Sequence, residues 1–212
     1  MARTMFDLTK QEFSLLKKLS TPAKIQDFLD TVAINCEKQG ETCMSPRRVL
    51  RENRAHCIEG AMVAAAALWI RGEPPLLLDL KTMPCDYDHV VALYKLNGYW
   101  GAISKTNHSV LRYRDPIYRT VRELALSYFH EYVLNTTGQK TLLSYSIPFS
   151  LKRYGYTWVT AEEELWNVAH DIDVTRHFRI IPKKNARLIR KVGALEMKTG
   201  CLAEWTREDP RT

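Results

Sequence analysis

The chain has 212 residues, 45% of them apolar, enough to bury the core of one large globular unit or two small ones. Lys plus Arg number 31 against 24 Asp plus Glu, a formal charge of +7, and no stretch approaches the run of about 18 apolar residues a membrane-spanning helix requires. The five cysteines, at 36, 43, 57, 85 and 201, form an odd set with no C-x-x-C pair and no Cys/His quartet, so neither a disulfide framework nor a structural zinc is indicated.

The opening segment, MARTMFDLTKQEFSLL, lacks the basic region and apolar run of a secretory signal. The expectation is a cytoplasmic protein with no membrane partner and no cofactor. Thr9 and Glu12 have the spacing of a capping box and predict a helix on which Phe13, Leu16 and Leu19 share a face. Thr21-Pro22 starts a second helix, burying Ile25, Phe28, Leu29, Val32 and Cys36. Ser45-Pro46 repeats that signal before a short helix over RRVLRE. A longer helix follows within RENRAHCIEGAMVAAAALWI, Arg51 to Ile70, where Ala61, Ala64, Ala65 and Leu68 recur at helical spacing. A face of such small side chains lets a helix lie close against a sheet.

The period then changes to two. PPLLLDL at 74–80 reads as a buried strand, and HVVALYK and YWGAIS flank Asn97-Gly98, the pair best suited to a two-residue hairpin turn. Helical spacing returns in Val121, Leu124, Ala125, Tyr128 and Tyr132. TLLSYSI is a further candidate strand, Thr160 and Glu163 a second capping box ahead of a helix with Leu165, Val168, Ala169 and Ile172, and HFRII at 177–181 a last strand. Helices, an antiparallel sheet and more helices describe an α+β fold. With no linker or repeat, residues 1–212 form one domain, with a core at about 45–116 and flanking helical segments at 9–43 and 120–198.

Between Arg176 and Lys198 the basic residues outnumber the acidic by eight to one, Glu196 being the exception. That segment is either a solvated surface or a contact for an acidic protein partner. Phe178 is its sole aromatic residue, so nucleic-acid binding is not expected.

Cys57 precedes the alanine face by one turn, at the positive end of the helix, where unpaired N–H groups favour a thiolate. The plain alternative is a buried structural thiol. If Asn97-Gly98 is the turn, opposed residues sum to 195 and His89 faces Thr106, sharing a sheet face with Val91, Leu93, Ala102, Ser104, Thr106 and His108. A cysteine at a helix start followed by a histidine at a strand start is the nucleophile and base order of many thiol enzymes. His56, adjacent to Cys57, is expected to point elsewhere. His56, Cys57, His89 and His108 match no metal-binding spacing, so no metal is expected. An oxyanion site, if the chain has one, would use the backbone N–H of Cys57 with the Asn53 side chain, whereas the plain reading of Asn53 is a cap or turn residue. LRYRDPIYRT, with Arg112, Tyr113, Arg114 and Asp115, follows the hairpin near the site and reads as a brace between loop and helix, with a substrate-reading wall as the alternative.

Over Ser45 to Pro116 the sequence resembles the transglutaminase-like superfamily, thiol enzymes and relatives with a papain-like α+β core. AHCIEGAMVAAAAL matches the cysteine that begins the family's central helix, DHVVALYK its histidine-entered strand, and Trp100-Gly101-Ala102-Ile103 the segment that leads to an aspartate. Ser104 occupies the aspartate's place. The resemblance implies Cys57 as nucleophile and His89 as base, with Ser104 by alignment or Asn107 by chemistry supporting the imidazole. The implied activity is thiol-dependent acyl transfer or amide and peptide hydrolysis on a peptide or small amide. The rival reading is a catalytically inactive domain of the same fold that acts as a binding module.

Overall fold

The computed structural model describes residues 5–38, 40–206 and 208. After a 3-10 turn at Met5–Asp7, α1 (Lys10–Lys18) begins with the expected box: Glu12 N–H donates to Thr9 Oγ1, and Thr9 N–H to the Glu12 carboxylate. Helix α2 (Pro22–Thr31) starts at the Thr21 cap. It ends at Thr31, so Cys36 is not helical. Val32 turns extended and leads into β1 (Ala33–Ile34), which pairs in parallel with β2 (Arg54–Ala55). The α2 terminus is capped from afar: the buried Lys105 ammonium donates to the Leu29 and Val32 carbonyls, where a cation suits the helix dipole.

Helix α3 (Pro46–Glu52) is capped by Ser45, and Asn53 closes it in the left-handed conformation, φ 51°. Helix α4 (Cys57–Ile70) follows, buried from Ile58 through Leu68. A helix apolar all round belongs at the centre of a core, and its alanines do more than line one face.

Strands β3 (Leu76–Lys81), β4 (His89–Leu96), β5 (Tyr99–Ile103) and β6 (Arg114–Tyr118) form an antiparallel meander. The β4–β5 register sums to 195 at each pair, from Leu96 and Tyr99 to Ala92 and Ile103. Asn97 and Gly98 both take positive φ, as a tight hairpin requires. After α5 (Val121–Tyr128) comes a small ribbon, β7 (Val133–Leu134) with β8 (Gln139–Lys140). The chain then returns to the sheet: β9 (Ser144–Ser146) and β10 (Phe149–Ser150) both pair with β3. Beyond α6 (Thr157–Thr160) and α7 (Trp166–Asp173), β11 (His177–Arg179) adds to β9 as the edge, and α8 (Ala194–Gly200) follows.

The sheet is covered on both faces. Leu77, Val90, Ala92 and Ile103 pack with α4 and the helices around it, whereas Leu78, Leu80, Val91, Leu93 and Ala102 pack with Leu124, Ala125 and Tyr128 of α5. The result is a mixed α+β fold of three layers. The second capping box does not form: Thr160 ends α6, and α7 starts at Trp166 without a side-chain cap. Tyr132 lies outside α5, its hydroxyl donating to the Tyr87 carbonyl. Arg114 does act as a brace, reaching Ser127 Oγ at 2.9 Å and Glu131 at 2.5 Å. Among the described residues no helix is long and apolar enough to cross a membrane.

Candidate functional site

Cys57 is the first residue of α4 and is half-buried, in the wall of a cleft of about 210 Å³ that also takes in His89, Lys105, Thr106 and Tyr132. Its N–H is among those at a helix start that have no intrahelical acceptor. Burial would push the thiol pKa up, but hydrogen bonds from His56 and His89 and the positive charge of both rings bring it from 9.0 down to about 5. The contrast is Cys43, fully buried beside Glu59 and Glu164, where burial and the nearby negative charge push the thiol up to about 12.

His89 opens β4, and the ladder to β5 stops at Ala92 and Ile103, short of it. No strand residue therefore faces the imidazole across the hairpin. Its partner is the diagonal one, Ser104, with Nε2 and Oγ 2.8 Å apart. Ser104 Oγ also lies 2.6 Å from the Leu111 carbonyl, to which it must donate. The hydroxyl proton being committed there, Oγ accepts from His89 Nε2–H, which leaves Nδ1 to face the sulfur. Ser104 itself is fixed through its backbone: its N–H donates to Gln26 Oε1 and its carbonyl accepts from Gln26 Nε2.

Asn107, the other residue expected behind the imidazole, lines the cleft but points its amide at the C-terminal segment. Nδ2 donates to the Trp205 carbonyl and Oδ1 accepts from Trp205 N–H. Asn53, as the residue that closes α3, stands outside the cleft lining.

His56 is the residue that spacing along the chain misplaced. It sits at the N-cap in extended conformation, φ −96° and ψ −171°, so helical spacing does not govern its side chain, which turns to Cys57. Its Nε2–H donates to the Thr42 carbonyl at 2.7 Å, leaving Nδ1 for the sulfur. Burial alone would lower the His56 pKa. The hydrogen bond to Cys57, the sulfur's charge and the Glu59 carboxylate outweigh burial and raise it from 6.5 to about 10. Glu59 is fully buried within donors: Thr42 Oγ1 at 2.7 Å, Met44 N–H at 2.9 Å and His56 N–H at 2.9 Å. The signal in the sequence was His56-x-x-Glu59, the spacing of a helix-start box.

At the head of α4 the low-pKa thiol of Cys57 is thus flanked by two imidazoles, each pinned at Nε2 by an oxygen, and of the two His89 lines the cleft. Its outer wall carries Asp86, Tyr87 and Asp88. Asp86 accepts from Thr141 Oγ1 and Asp88 from the Thr82 N–H, so both carboxylates are fixed. His108 is exposed at the rim. No known protein family matches the sequence, and no curated protein matches it either.

Proposed function

We propose that the chain is a thiol-dependent acyl-transfer enzyme or amide hydrolase with a papain-like, transglutaminase-like core. The observation that carries this reading is the Cys57 thiol, hydrogen-bonded by His56 and His89 at the head of α4 in an open cleft. A thiolate is the nucleophilic form of cysteine. In the proposed reaction Cys57 Sγ bonds to the carbonyl carbon of a peptide or small amide, with the Cys57 N–H facing the developing oxyanion. The C–N bond breaks as His89, the imidazole that lines the cleft, gives the leaving amine the proton taken from the thiol. Water or an amine then attacks the thioester, its proton passes to His89, and the C–S bond breaks to restore the cysteine. His56 stays beside the sulfur as a fixed positive charge, held by the Thr42 carbonyl and Glu59.

One observation favours a second reading, an inactive member of this fold that acts as a binding module: the position behind His89 holds the neutral Ser104 hydroxyl instead of a carboxylate. Alkylation with iodoacetamide across a pH series, on a protein with the exposed Cys85 and Cys201 replaced by serine, separates the two. The expected result is a Cys57-dependent rate with its midpoint near 5, far below the 9.0 of an ordinary thiol. A midpoint near that ordinary value removes the nucleophile.

A further inference from the structure

A second cavity, separate from the thiol cleft, lies where the 3-10 segment Lys183–Leu188 folds over β8 and β11. Its volume is about 320 Å³, within the range of small-molecule sites. Five cations line it, Lys140, Arg179, Lys183, Arg190 and Lys191, and no acidic residue does. Lys140 donates to the Arg190 carbonyl at 3.0 Å, but the head groups of Arg179, Lys183, Arg190 and Lys191 meet no acceptor among the described residues. The remaining lining is largely apolar, with half-buried Leu143, Ile181 and Ile189.

Like charges gathered around one concavity repel, and the arrangement is relieved by a bound anion. Four free cations call for more than one negative charge. A phosphate monoester carries about −1.5 to −2 near neutral pH and offers three acceptor oxygens, which suit the planar donors of two guanidinium groups. The aliphatic wall suits an apolar body. We propose that this cavity binds a soluble phosphate monoester with an apolar or aromatic organic group. This does not depend on the chemistry of Cys57.

Calorimetric titration of the full chain with phenyl phosphate, with phenol as its neutral counterpart, tests it. Binding of phenyl phosphate and not of phenol is expected, weakening at least about tenfold in an Arg179→Glu, Arg190→Glu double variant. It should be unchanged in Lys10→Glu, a distant exposed cation on α1. Both substituted side chains are exposed, and the single variant Arg190→Gln, expected to weaken binding in the same direction, covers a failure of the double variant to fold. No binding of phenyl phosphate, equal binding of phenol, or equal weakening by Lys10→Glu overturns the proposal. So does binding only to phosphatidic-acid vesicles or to an oligonucleotide, because either would make the cations a surface for a larger polyanion.

Discussion

The Glu59 carboxylate stands 3.4 Å from His56 Nε2, so a buried carboxylate backs the histidine next to the cysteine in sequence, while His89 is backed by a hydroxyl. Glu59 helps hold His56 protonated, and the positive ring in turn favours the thiolate. Glu59→Gln is therefore expected to lower the His56 pKa from about 10 and to raise the midpoint of Cys57 alkylation above about 5. The amide also replaces an acceptor that serves four donors, Thr42 Oγ1, Met44 N–H, His56 N–H and Asn35 Nδ2, which should cost on the order of 1–3 kcal/mol in urea unfolding. An unchanged alkylation midpoint in a folded variant would show that the carboxylate acts only as scaffolding.

Ser104 explains why a carboxylate is not simply interchangeable at its position. Its hydroxyl donates to the Leu111 carbonyl and accepts from His89, and an aspartate there would set two acceptors against each other at 2.6 Å. Ser104→Asp is expected to lose stability without gaining rate. Ser104→Ala leaves a buried imidazole N–H and a buried carbonyl without their partner, a cost of about 1–3 kcal/mol, and frees the ring to change tautomer. Acylation of Cys57 by a thiol-directed acyl probe should slow in Ser104→Ala and recover in Ser104→Thr, which keeps the hydroxyl. Equal rates in all of them would remove Ser104 as a positioning residue.

The two shifted groups also set how stability depends on pH. The Cys57 pKa falls from 9.0 to about 5, so its contribution is fully present above 9.0 and is lost as pH falls through about 5. The His56 pKa rises from 6.5 to about 10, so its contribution is fully present below 6.5 and is lost as pH rises through about 10. Both act together between 6.5 and 9.0, where the folded chain holds the ion pair and the unfolded chain holds two neutral groups. The difference in unfolding free energy between the native chain and Cys57→Ala should therefore peak in that window and shrink on both sides. A difference that does not vary with pH would mean that the pair is not ionised.

The elements that could be read from the sequence are those fixed by local chemistry. The Thr9 box, the Thr21-Pro22 and Ser45-Pro46 starts and the Asn97-Gly98 turn each depend on a few adjacent residues, and each formed. What escaped depends on contacts distant in sequence. Helix α2 stops early because Ala33 and Ile34 pair with Arg54 and Ala55. Thr160 and Glu163 have the spacing of a box, but the chain there turns out of α6. At the site, Cys57 at the helix start and His89 at the strand start were legible, whereas the contact of His56 with sulfur was not. Helical spacing applies only inside the helix, and the N-cap lies outside it.

Gly60 shows how the position of the cysteine depends on packing one turn away. In an exposed helix, replacing glycine by alanine adds about 1 kcal/mol of helix stability. Here a methyl at Gly60 would overlap Lys105 Cβ, and Lys105 is itself buried, with its ammonium bound to the end of α2. The neighbour is the base of a side chain, next to the backbone, so it has little room to yield. Gly60→Ala is therefore expected to destabilise the fold by about 1–3 kcal/mol, opposite in sign to the propensity effect. Lys105 follows Ser104 directly, so the strain should also move the His89 support away from the head of α4. The expected signature is a lower urea midpoint together with slower alkylation of Cys57. A Gly60→Ala protein as stable as the native chain or more so, alkylated at the native rate, would show that α4 does not lie as close to Lys105 as the proposed site requires.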